Sequence, residues 1–263
     1  MANNKWFVIA LLSIISSTAS RADETNVVQS ASPVVHKYEG HATDVLGIST
    51  GMSLEDARRR IVAEYGADPI ETKTKLSIQY RSIPMNTQEF VSQLQANKGR
   101  DSITVYLGTP ATGGAVVGIT RNVQYDDPVT APLIDSVFGQ LDEKYGKEST
   151  PSRFGNGLIR TVWIFGPDTE LSCQQWSCGD ASPSLDPGSL QAYTYVLSQG
   201  KQFRIMADVF PAQQDHTRVN QLTITVDDVA SKALTLKEAL KQLQAAAEAA
   251  YAKNATPQRG PKL

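Results

Sequence analysis

The segment with the plainest catalytic potential is Gly47-Ile48-Ser49-Thr50-Gly51. A serine between two such glycines, after a short apolar run and before a helix, matches the tight elbow that holds the nucleophile of α/β-hydrolases. Asp208 and His216 follow in the order that such a triad takes along the chain. Three features speak against a serine hydrolase. Only one convincing strand precedes Ser49, where that fold needs several. The next helix has its own cap at Ser53, whereas an elbow serine opens the helix itself. The later strands alternate polar and apolar residues, as half-exposed antiparallel strands do, and lack the continuous buried runs of a parallel sheet. A hydrolase using Ser49, Asp208 and His216 is therefore the alternative, and the expectation is a non-enzymatic protein.

Metal and cofactor chemistry is not signalled. The histidines His36, His41 and His216 are scattered, and Cys173 and Cys178 lack a second ligand pair, so neither a zinc site nor a cofactor is expected. The run 108–114, GTPATGG, superficially resembles a phosphate-binding loop but lacks the Lys-Ser/Thr ending and a following helix. It reads as a hairpin loop.

Residues 166–188 form the segment richest in binding character. It holds four acids (Asp168, Glu170, Asp180, Asp186), three prolines, Trp176 and no basic residue. Cys173 and Cys178 are the only cysteines and are expected to pair in an oxidising compartment, pinning Trp176 between the ends of a small ring. So short a loop stabilises by less than ~3 kcal/mol, so the clip shapes the loop more than it holds up the fold. Trp176 with Asp168, Glu170 and Asp180 is the expected binding surface; the other reading folds Trp176 back over the core. The acids show no calcium-ligand spacing.

An oxidising compartment is what the start of the chain implies. Lys5 precedes a run of ten residues, 6–15, apolar but for Ser13, and small residues follow up to Ala22. This is the three-part pattern of a secretory signal peptide, residues 1–22, with cleavage after Ala22 or Ser20. Ten residues make about 15 Å of helix, half of a bilayer core, so no permanent membrane span is expected. No cysteine lies near the cleavage site, so no lipid anchor is expected either. The expected location is periplasmic or secreted. Removing Lys5 and Arg21 takes the formal net charge from −2 to −4, which argues against nucleic acid as a partner.

The elements that must position these residues come from periodicity. Residues 23–43 read as a polar spacer. After a strand at 44–48, Ser53 caps a helix with Asp56 three positions on, Leu54, Ala57, Ile61 and Tyr65 share its apolar face, and Gly66 closes it. Arg58, Arg59 and Arg60 read as a solvated face. A strand at 75–82, a short helix at 87–96 and strands around 103–107 and 117–123 follow. A helix over 130–145 then places Ile134, Val137, Leu141 and Tyr145 on one face and ends at Gly146, eighty residues after the first set. Strands are expected at 157–165, 192–197, 202–210 and 218–226, a last helix at 235–251, and a loose tail at 253–263. Helices followed by runs of alternating strands imply an α+β fold with antiparallel sheets: one helix-plus-sheet unit over 44–128 and a second over 129–252, with a C-terminal packing helix.

The stretch Gly47-Ile48-Ser49-Thr50-Gly51-Met52-Ser53-Leu54-Glu55-Asp56, running on to Tyr65-Gly66, resembles a known repeat. It is shared by a small lipoprotein of the bacterial outer-membrane barrel-assembly machinery and by secreted β-lactamase inhibitor proteins. The resemblance implies tandem helix-plus-antiparallel-sheet units and a non-catalytic role. It covers about 20 residues. The lipoprotein's anchoring cysteine is absent, and the second unit has Val129-Thr130-Ala131-Pro132 in place of Gly-Met-Ser. The functional expectation is an exported protein-binding or envelope accessory module whose partner is another envelope or secreted protein.

Overall fold

A computed structural model describes residues 23–81, 83–127, 129–147, 152–154, 157–167, 170–171 and 185–254. A short strand β1 (Asp23–Thr25) leads through an extended segment to a two-stranded ribbon, β2 (Asp44–Val45) and β3 (Ile48–Ser49). The turn between them has positive φ at Leu46 (54°) and Gly47 (73°), as a two-residue hairpin of the I′ type requires. Gly51 has φ 81°, and a Cβ there would meet the Val34 carbonyl oxygen at 2.8 Å. The two glycines of the elbow-like pentapeptide therefore serve a hairpin turn and a close backbone crossing.

Helix α1 (Leu54–Tyr65) starts as its sequence dictates: the Ser53 hydroxyl accepts from the Asp56 N–H at 3.1 Å, and Ala57, Ile61 and Tyr65 are buried. The arginine run is a solvated face, with Arg58 on Glu55 and Arg59 on Asp56. Strands β4 (Ile70–Thr74), β5 (Ser77–Tyr80), β6 (Ile83–Thr87), β7 (Phe90–Lys98) and β8 (Asp101–Leu107) follow. A 3₁₀ turn (Pro110–Thr112) leads to β9 (Val116–Gln124), then α2 (Ile134–Tyr145). Next come β10 (Ser152–Arg153), β11 (Ile159–Phe165), β12 (Glu170–Leu171), α3 (Ser189–Ser198), β13 (Phe203–Pro211), β14 (Val219–Asp228) and α4 (Val229–Asn254).

The architecture is α+β. A nine-stranded antiparallel sheet runs β10–β11–β13–β14–β9–β8–β7–β4, with β12 beside β11. The division expected near residue 128 falls between β9 and α2, yet β9 pairs with β14 over seven positions, so strands from both halves share one sheet. One face carries Leu94, Ile103, Val105, Ile119, Trp163, Phe203, Ile205, Val226 and their neighbours, which bury against α1, α2 and the ribbon. On the other side α4 presents Leu236, Ala239, Leu243 and Ala247 to α3 and to a small sheet, β1–β6–β5.

Four sequence expectations differ from the structure. Residues 87–96 hold the end of β6 and most of β7, not a helix: Phe90 and Leu94, four apart as on a helix, go to separate cores on opposite sides of the sheet because a β-bulge at Ser92 reverses the alternation between them. Residues 192–197 are helix, not strand, because Leu190, Tyr193, Val196 and Leu197 form a stripe against α4. Helix α4 begins six residues before Thr235. Its cap is Asp228, whose carboxylate accepts from the Ser231 N–H at 2.8 Å, while the Thr235 hydroxyl ties the chain at Thr109 and Thr112. The polar stretch 23–43 is anchored: β1 pairs with β6, Val27 is buried, and His36 and Tyr38 sit in a core.

Candidate functional site

The catalytic alternative fails on placement. Ser49 lies in the ribbon, on the α1–α2 side of the large sheet. Ala207 and Val209 face that same side, so Asp208 points through to the other, where Arg160 grips both its oxygens at 2.7 and 2.8 Å. His216 is exposed in the β13–β14 turn. The sheet separates the serine from the aspartate, and the three residues form no site.

Of the expected binding surface, Asp168, Trp176, Asp180 and the Cys173–Cys178 pair lie outside the described residues, as does the Glu170 side chain. Among the described residues no cluster of three or more His, Cys, Asp or Glu is placed to hold a metal ion. No described helix is long and apolar enough to cross a membrane.

A buried relay of polar groups, Asp228–His36–Tyr38, superficially resembles catalytic machinery. The His36 ring bridges Asp228 (3.0 Å) and the Tyr38 hydroxyl (3.0 Å), and Tyr38 donates to the Gly166 carbonyl at 3.1 Å. The chain ends on a backbone oxygen and the His36 side chain is only 5% exposed, so it staples the N-terminal segment to the sheet.

The concave site with convergent chemistry lies beside α2. Arg121 and Val123 are alternate residues of β9, and Tyr125, one residue past its end, continues their row beside the cleft. Leu222 and Ile224 stand opposite Val123 and Arg121 on β14. Val137, Gln140, Leu141 and Lys144, at helical spacing, close the cleft from above, and Val45 and Leu46 of the ribbon close its end. The cavity measures ≈ 350 Å³, within the range in which proteins hold small ligands or anchoring side chains.

Its two cations are held in ion pairs. Arg121 donates to Asp101 through Nε (3.1 Å) and Nη2 (2.6 Å), and the Tyr65 hydroxyl donates to the same carboxylate at 2.9 Å. That hydrogen-bonded carboxylate holds the Arg121 guanidinium above its ordinary pKa. At the other end Lys144 pairs with Asp44 at 3.0 Å, and Tyr145 donates to the Asp44 carbonyl at 2.9 Å. Burial pushes up the phenols of Tyr65, Tyr125 and Tyr145, so all three are neutral donors at ordinary pH. Tyr65 and Tyr145, the matched residues of the two helices, thus brace the two ion pairs that border the cleft.

Sequence reasoning missed Arg121, Tyr125, Gln140 and Lys144. One signal was legible: Arg121 occupies an inward position in a strand whose other alternate residues, Ile119 and Val123, are apolar. A charge at such a position needs a partner or a role. Compared with known proteins, the chain matches no family model, no curated protein and no solved structure.

Proposed function

We propose that the protein is an exported, non-enzymatic binding module, working in the periplasm or outside the cell, whose cleft beside α2 receives an apolar group of another envelope or secreted protein. The leader pattern of residues 1–22 supports export. The observation that carries the binding reading is the cleft itself. Its floor is aliphatic, its rim is polar, and β9, β14 and α2 supply most of its lining.

The test compares the wild-type protein with a Val123→Trp variant, in which the indole fills the cleft. Both are expressed with their leader and isolated from the exported fraction. The wild type is expected to co-purify with a partner that the variant loses, while both melt at similar temperatures. Equal recovery with the wild type and the variant would remove the cleft from function. A mature protein that keeps residues 1–22 and stays in the cytoplasm would overturn export.

A further inference from the structure

Resting on that reading, we infer that the cleft captures the free C-terminus of a partner polypeptide, with an apolar last side chain in the cavity and its carboxylate on Arg121 and Tyr125. The hydrogen-bond inventory carries this. Asp101 engages Nε and Nη2 of Arg121, and among the described residues no acceptor takes Nη1, which carries two N–H donors. The Tyr125 hydroxyl, four residues on from Arg121 and just past the end of β9, likewise has no acceptor among the described residues. Tyr65 and Tyr145 are committed to Asp101 and to the Asp44 carbonyl, and Lys144 to Asp44.

The two open donor groups therefore lie next to an apolar floor. Of the polar side chains lining the cavity, Gln140 is the one that carries an acceptor oxygen without donating first. A donor-rich rim over an aliphatic floor suits a group that only accepts and bears an apolar body. A carboxylate on a planar guanidinium is the strong form of that pairing. Net charge does not select it, since Arg121–Asp101 and Lys144–Asp44 are each neutral as pairs; the open donors of the two lining residues do.

Size narrows the occupant. At roughly 30 Å³ per non-hydrogen atom, the share a water takes in the liquid, the cavity holds about a dozen atoms. A terminal leucine with both carboxylate oxygens and the carbonyl unit before it comes to about that number.

The experiment titrates the mature protein with acetylated glycyl-leucine as the free acid and as the C-terminal amide, following amide resonances of β9 and α2, with decanoate as a third probe. The free acid is expected to bind at least ten-fold more tightly than the amide and to shift the signals of Val123 and Leu141. Arg121→Lys keeps a cation beside Asp101 but lacks the planar fork, and Tyr125→Phe removes one donor without touching Asp101. Each is expected to cut the acid-over-amide preference at least three-fold. Equal binding of acid and amide would overturn the inference while leaving the cleft as a binding site. Binding of decanoate with neither peptide bound would also overturn it, in favour of a fatty-acid-like occupant. An unchanged preference in both variants would remove Arg121 and Tyr125 from the site.

Discussion

Replacing Lys232 with methionine tests whether the charges buried beneath α4 are placed as described. Lys232 is 1% exposed, and its ammonium contacts Asp227, itself 1% exposed, while Arg204 reaches the other carboxylate oxygen at 3.1 Å. The Lys232 side chain passes over Gly118, where a Cβ would lie in ordinary contact at 3.6 Å from both Cε and Nζ. Methionine keeps the length of the side chain and removes the charge. Asp227 then remains buried with Arg204 as its only cation of the pair. Breaking a buried ion pair from one side costs 3–5 kcal/mol, and the surviving Arg204 contact places this case at the lower end, about 3 kcal/mol. For a chain of this size that lowers the melting temperature by roughly 6–12 °C. Urea unfolding followed by far-ultraviolet circular dichroism measures it, with the m-value unchanged. Converting the cluster together, Arg204→Met, Asp227→Leu and Lys232→Met, should recover most or all of the loss, because the carboxylate that these two cations serve is gone. A loss below about 1 kcal/mol in the single variant would refute the reasoning, since it would mean that water reaches the ammonium.

Other perturbations follow from named contacts. Ser53→Ala removes the hydroxyl that accepts from the Asp56 N–H and should cost about 1 kcal/mol in the same unfolding assay. Gly51→Ala places a Cβ against the Val34 carbonyl in a left-handed backbone, so its loss should exceed the 1–2 kcal/mol of the conformation alone. Tyr145→Phe leaves the Asp44 carbonyl without its donor at 2.9 Å and should cost about 1 kcal/mol at neutral pH. Burial raises the phenols of Tyr65, Tyr145 and Tyr193 above their ordinary value of 10.0. Their contribution is therefore complete below pH 10 and is lost as pH rises beyond it, so melts across pH 8–12 should show a decline that begins above pH 10 and is shallower in Tyr145→Phe.

Much of the scaffold was legible because its signals are local. The apolar stripes of α1 and α2, the Ser53 cap and the alternation of β8 and β9 each depend on residues within one element, and each formed. The misread elements were those whose partner decides. Phe90 and Leu94 mimic a helix face, but the β-bulge at Ser92 reverses the alternation between them and sends them to opposite sides of the sheet. Residues 192–197 alternate like a strand, yet α4 offers a groove that takes Tyr193, Val196 and Leu197 together. The cleft was illegible for the same reason. Its residues come from β9, β14, α2 and the ribbon, and only the β9–β14 register brings Arg121 opposite Ile224 and Val123 opposite Leu222. The Gly-x-Ser-x-Gly pattern supported no more than an alternative, because glycine serves a hairpin turn as readily as an elbow.

The most direct test of the cleft as a binding site is site-specific photo-crosslinking in cells that express the full chain. A photoreactive side chain placed at Gln140, on the rim of the cleft, is compared with one at Lys237, on the solvent face of α4. If the cleft is the binding site, Gln140 gives a discrete adduct that Lys237 does not, and Val123→Trp abolishes it. The same adducts from both positions, or a Gln140 adduct that survives Val123→Trp, would contradict the assignment of function to this cleft.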